Sequence, residues 1–155
     1  MSVPPRICLP LLLSATLFCA GVSTTAAADD GGPYATISDA AKQRYRSNYE
    51  NLPPEDEAPY PLEGQDAITS QIVRLNQRIF AVGNLVATVL VDESGKPHSV
   101  TFYSLPRSDV DVSEAKIRKT YAAVLMGVAY KPAICGGKPC VMEFIYKAEF
   151  SKKRG

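Results

Sequence analysis

Apolar side chains recur along this chain with two periods, and the switches between them mark out the elements. Between Asp66 and Phe80, the residues Ile68, Ile72, Leu75 and Ile79 fall on one face of a helix, while Arg74, Gln77 and Arg78 take the wet side. Asp66 is placed to cap this helix, and Gly83-Asn84 to break it. The period then drops to two. Leu85, Ala87, Val89 and Val91 share one face of a strand, with Val86, Thr88 and Leu90 on the other. The turn signal Asp92-Glu93-Ser94-Gly95 leads to a second strand, His98 to Leu105, so the pair reads as a hairpin. Asp111 with Glu114 resembles a capping box for a second helix running to about Ala129. Its buried stripe is Ile117, Tyr121, Val124, Leu125 and Val128, and Lys116, Arg118 and Lys119 form its solvated face. Pro132 ends that element. From Cys140 to Phe150 the period is two again. Met142, Phe144, Tyr146, Ala148 and Phe150 make one apolar face, so this is a half-buried antiparallel strand. The expected fold class is α+β, a small antiparallel sheet of about three strands packed against two helices.

Flanking segments complete the organisation. Residues 1–28 read as an export signal: a short basic start at Met1–Arg6, an apolar core from Ile7 to Val22, and small residues at Ala26-Ala27-Ala28. An uncleaved inner-membrane anchor facing the periplasm is the alternative, since the stretch is long enough to span a bilayer. Residues 29–61 read as a linker, partly Pro-rich, whose closing part (Pro53-Pro54, Pro59, Pro61) should be extended and solvated. A short helix fits the spacing of Ile37, Ala41, Tyr45, Asn48 and Leu52, and Tyr34, Tyr45, Tyr49 and Tyr60 read as packing against the domain or as a contact stripe. The folded domain is expected over residues 62–151, with a basic tail at 152–155.

Charge and candidate chemistry narrow the function. With 17 basic and 16 acidic side chains and no basic run, nucleic acid and anionic membrane are poor partners. Of four cysteines, Cys8 and Cys19 leave with the signal. In an oxidising compartment Cys135 and Cys140 then pair, closing a Gly-rich turn at about 2 kcal/mol of loop entropy. Four residues between them are too many for a usual redox pair, and zinc needs about four ligands where the chain has one histidine, His98. No catalytic, metal or cofactor site is expected. His98 reads as a surface residue, and Asp109, Asp111 and Glu114 as helix capping rather than an acid/base pair.

The order helix, hairpin, helix, strand carries short motifs. These are Tyr60-Pro61, Gly83, the Leu85–Val91 alternation with Asp92 and Gly95, Tyr130-Lys131-Pro132-Ala133, and Gly137-Lys138-Pro139. In that order they resemble the C-terminal domain of TonB-type energy transducers and the related TolA domain, over residues 60–150. The chain departs from that family in its longer spacing from Tyr60-Pro61 to Gly83. Ser104-Leu105-Pro106 stands where Ser-Ser-Gly is frequent, and Tyr130 stands where tryptophan is frequent. Its apolar segment lacks the family's coupling histidine, and its linker reaches about 100 Å at most. The resemblance implies a stand-alone periplasmic receptor-contacting domain without the energy-transducing engine.

The expected function is therefore non-catalytic protein–protein interaction in the cell envelope, with a receptor or machine component as partner and no small-molecule substrate. The resemblance implies that the partner's extended segment adds to the sheet beside the last strand, where Val141, Glu143, Ile145 and Lys147 would set specificity. The opposing expectation is that the N-terminal segment or a second copy, as in a homodimer, covers that strand. A periplasmic inhibitor or immunity protein, presenting Leu105, Arg107 and Asp109 to a toxin or hydrolase, is the alternative function.

Overall fold

The computed structural model describes residues 31–108 and 110–151. The export signal, Asp109 and the basic tail lie outside the described residues. The elements run α1 (Asp39–Arg46), β1 (Tyr60–Pro61), α2 (Gln65–Ile79), β2 (Ala81–Val91), β3 (Pro97–Ser104), β4 (Arg107–Ser108), α3 (Glu114–Met126), β5 (Tyr130–Lys131), β6 (Ala133–Cys135), β7 (Lys138–Cys140) and β8 (Met142–Phe150). The molecule is α+β, with three helices and antiparallel pairings throughout.

β2 is the centre of the main sheet. It pairs with β3 on one side and with β8 on the other, from Gly83↔Phe150 to Val91↔Met142. The predicted alternation decides the faces. Leu85, Ala87, Val89 and Val91 from β2 and Phe144, Tyr146 and Phe150 from β8 are buried, against Ile68 and Ile72 of α2 and Ile117, Tyr121 and Leu125 of α3. One apolar face per strand and one stripe per helix thus close a single core.

Several local expectations are corrected. Asp66 does not cap α2: the cap is Gly64, at φ 89°, and Asp66 stands in the first turn with its amide donating to the Gly31 carbonyl at 3.0 Å. The helix ends at left-handed Phe80, where the Asn76 side chain satisfies both backbone groups of Ala81 at 3.0 and 3.1 Å. Gly83 is therefore not the breaker. It sits inside β2 at φ 115°, next to the first two residues of the strand, which pair with β4. Ser113, not Asp111, caps α3, accepting from the Lys116 amide at 3.4 Å. The last strand is split at Val141 into β7, which forms a small hairpin with β6, and β8.

The largest correction concerns residues 31–61. Of the closing prolines, Pro53 and Pro54 are exposed as expected, but Pro59 and Pro61 are fully buried. Ile37, Ala41, Tyr45, Ala58 and Tyr60 join the same core as the sheet and the two longer helices. The short helix does form: Ser38 caps α1 through the Ala41 amide at 3.1 Å. Its buried edge carries aromatic contacts, Tyr45 to Tyr60 at 5.0 Å and Tyr45 to Phe144 at 6.3 Å between ring centroids. The tyrosines pack against the domain because the sheet's apolar face is larger than two helices cover. Backbone stitches finish the job: β1 pairs with β5, and Glu57 exchanges both backbone bonds with Ile134 at 2.8 Å.

Burial raises the hydroxyl pKa of these tyrosines above 10, to about 12 for Tyr49 and Tyr121, with Tyr45, Tyr130 and Tyr146 shifted the same way. A raised folded-state value means that stability is complete below the unfolded value of about 10 and is lost as pH climbs through it toward 12. In an alkaline titration, tyrosinate absorbance from the buried rings should therefore rise together with loss of far-UV ellipticity. Free titration of most tyrosines near pH 10 in a still-folded protein would contradict this.

Candidate functional site

The sheet order β3-β2-β8 leaves two outer edges, and they differ. Val141, in the gap between β7 and β8, is 49 % exposed, and Glu143, Ile145 and Lys147 of β8 lie on the face away from the core. The edge itself is covered at its middle. The Ile145 amide points away from β2 and donates to the Tyr49 hydroxyl at 3.2 Å, and the Lys147 ammonium donates to the Asn48 side-chain oxygen at 3.4 Å. Tyr49 is held in turn by the Tyr45 hydroxyl at 2.7 Å, and Tyr45 donates to the Pro59 carbonyl. The N-terminal segment thus occupies the middle of the edge to which the TonB-type resemblance assigned the partner.

The alternation of an antiparallel ladder fixes what the opposite edge offers. In such a ladder both backbone groups of a residue face the same neighbour, and successive residues face opposite neighbours. Since the Ile145 amide faces outward, its pair Thr88 directs its own groups to β3, where it meets Thr101. The neighbours of Thr101, Val100 and Phe102, then direct their N–H and C=O groups outward. Among the described strands, β3 pairs with β2 alone. Two unpaired peptide units of this kind are a template for an added strand.

Beside that edge runs a trough of two connected hollows, about 460 and 500 Å³ in volume, that share Phe102, Glu114 and Arg118. α3 forms its far wall. Ala115 and Ala122 are small, so the helix leaves space over the edge instead of filling it. Arg118 lies across the Phe102 ring at 5.4 Å from its centroid and donates to Glu114 at 2.8 Å. Leu105 and Arg107 line the same trough. They do not protrude as an inhibitory loop would, because Arg107 pairs with Val82 and the Ser108 hydroxyl donates to the Ile79 carbonyl at 2.5 Å. The fold brings these two alternative site residues to the β3 edge, far along the sheet from Ile145. Asp109 lies outside the described residues.

The remaining candidates have structural partners. His98 bonds Asp92 at 2.8 Å on the surface. The same carboxylate accepts from the Ser94 amide and hydroxyl and from the Lys96 amide, at 2.6 to 2.9 Å. These bonds, led by the Ser94 hydroxyl, hold the Asp92 carboxyl well below the usual carboxylate range, and they tie it to the hairpin turn. Cys135 and Cys140 form a disulfide across the β6–β7 hairpin, with a Cα–Cα distance of 5.8 Å. The Gly136 amide in its turn donates to Asp56 at 2.8 Å. Among the described residues, no three His, Cys, Asp or Glu side chains gather as a metal-ligating group, and no helix is long and apolar enough to cross a membrane.

Sequence reasoning placed attention on β8 and missed β3. The available signal was the pairing of outward-spaced Val100 and Phe102 with the small residues Ala115 and Ala122 on the following helix. No periodicity rule links the two, because they meet only after the helix crosses the sheet.

Comparison with known proteins returns no match for this chain among family models, curated proteins or solved structures.

Proposed function

We propose that this protein is a non-catalytic interaction module of the periplasm, which captures an extended segment of an envelope protein by adding it to the outer edge of β3. The observation that carries the reading is the unpaired outer side of β3 beside a trough that α3 leaves open. Edge addition supplies affinity through main-chain bonds and specificity through alternate side chains, so it needs no catalytic group. The export-type N-terminus and the Cys135–Cys140 bridge support an oxidising, extracytoplasmic setting. The motif likeness to TonB-type domains supports the same mode of binding. The edge differs, since Tyr49 fills the one that those domains are thought to use.

Two proline substitutions test it. Proline at an outward-facing edge position removes one donor without touching the ladder inside the sheet. Val100→Pro should abolish recovery of envelope proteins in affinity purification from the native host, while circular dichroism and melting temperature stay close to wild type. Ile145→Pro removes only the bond to Tyr49 and should leave recovery intact. Loss of capture in Ile145→Pro with normal capture in a folded Val100→Pro would return the site to β8.

A further inference from the structure

We infer that the β3 trough selects an acidic extended segment, one that carries carboxylates at alternate positions on the side facing α3. This rests on the edge-capture reading and adds the chemistry of the captured strand. A strand laid along β3 would send every second side chain toward α3 and the others toward the open face of the sheet, because the side-chain period of a strand is two. The side facing α3 meets Arg107, Arg118 and Lys119. Glu114 is the carboxylate among the lining residues, and Arg118 already holds it at 2.8 Å.

The unpaired charge of the trough is therefore positive. Neither Arg107 nor Lys119, both exposed, forms an ion pair among the described residues. A guanidinium has five donors, so Arg118 can keep Glu114 and still reach a second carboxylate. Its guanidinium is already held over the Phe102 ring and on Glu114, which lowers the ordering cost of a new bond. The gaps over Ala115 and Ala122 admit the stem of a glutamate between the edge and the helix. A basic segment would meet Arg107, Arg118 and Lys119 with no free carboxylate among the described lining residues to answer it. The overall charge is nearly balanced, at +1, so this preference is local to the trough and not a property of the whole surface.

The test is an amide chemical-shift titration of the isotopically labelled protein with two blocked heptapeptides, one alternating valine and glutamate, the other valine and lysine. The glutamate peptide should shift the amides of Val100, Phe102 and Arg118 and bind about tenfold more tightly than the lysine peptide, with the gap shrinking as salt is added. The exposed double variant Arg107→Glu with Lys119→Glu, which leaves the core untouched, should erase or invert that preference. Equal binding of the two peptides, or binding of neither, overturns the inference. Shifts centred on Ile145 and Lys147 overturn it and place the captured strand on β8. Shifts of the β3 amides with protein concentration alone overturn it in favour of a second copy. The proline variants judge edge capture separately, so peptide selectivity can fail while edge capture stands.

Discussion

Removal of residues 31–58 should abolish cooperative folding, although motif and periodicity both place the start of the domain near Tyr60. Ile37, Ala41, Tyr45 and Ala58 are buried in the common core, and without them Tyr60, Tyr130 and Phe144 lose one wall. Burying a large apolar side chain is worth about 1.5–3 kcal/mol. Loss of Ile37 and Tyr45 with the exposure of their neighbours therefore exceeds about 5 kcal/mol, comparable with the whole stability of an ordinary domain. The hydrogen bonds from this segment to the rest of the chain go as well: Tyr49 to the Ile145 amide, and the Glu57–Ile134 pair. A chain beginning at Pro59 should show a broad thermal transition and bind a hydrophobic dye at neutral pH. A sharp transition within a few degrees of the intact protein would show that the segment is an accessory after all. The truncation also exposes the β8 edge, so any low-level folded population should self-associate through it.

Gly95→Ala should be the most damaging single substitution in the hairpin. Gly95 sits at φ 82°, where a Cβ is disfavoured, and a Cβ built there would lie 2.0 Å from the Tyr130 carbonyl oxygen. That oxygen belongs to backbone and cannot rotate away. The contact is close because the Tyr130 amide donates to the Gly95 carbonyl at 3.1 Å, docking the turn onto the segment after α3. The positive φ alone costs about 1–2 kcal/mol. The clash forces the turn away from Tyr130 and adds more, for a total of about 3 kcal/mol or above. Gly137→Ala is the internal control. It has nearly the same φ, 80°, but nothing lies within 4 Å of its Cβ, so it should lose only the backbone part. Urea unfolding midpoints of the two variants separate the terms. Equal losses would mean that the approach to Tyr130 relaxes at no cost.

This contact also connects short motifs that lie far apart in the sequence. Asp92 and Gly95 belong to the β2–β3 turn, and Tyr130-Lys131-Pro132-Ala133 to the stretch after α3, some 35 residues on. Asp92 shapes the turn through Ser94 and Lys96. Gly95 lets it touch Tyr130, the Tyr130 hydroxyl donates to the Leu125 carbonyl at 2.8 Å, and Lys131 meets Glu57 at 2.5 Å. Asp92, Gly95, Tyr130 and Lys131 thus form one connected patch, which the N-terminal segment meets at Glu57.

Local chemistry was enough to determine the strongly periodic elements. α2, the β2–β3 hairpin, α3 and the buried face of β8 follow from spacing, because a 3.6-residue or a two-residue period of apolar side chains leaves one face to bury. The Cys135–Cys140 pair followed from counting, since only two cysteines lie beyond the export-type segment. Caps were less legible. Ser113 and Asp111 are both good N-cap residues two positions apart, and Gly64 has no side chain with which to announce itself. Only the tertiary structure decided what residues 31–61 are and which edge is open. A Pro-rich segment reads as linker because proline withholds donors, yet Pro59 and Pro61 are buried where the sheet and helices leave apolar area uncovered. Whether an outer strand is accessible depends on what packs beside it. Tyr49 reaches Ile145 across 96 residues, and α3 stands off Phe102 because two alanines face it. Neither distance is encoded in any window of sequence, because burial and edge accessibility belong to surfaces assembled from remote segments rather than to the segments themselves.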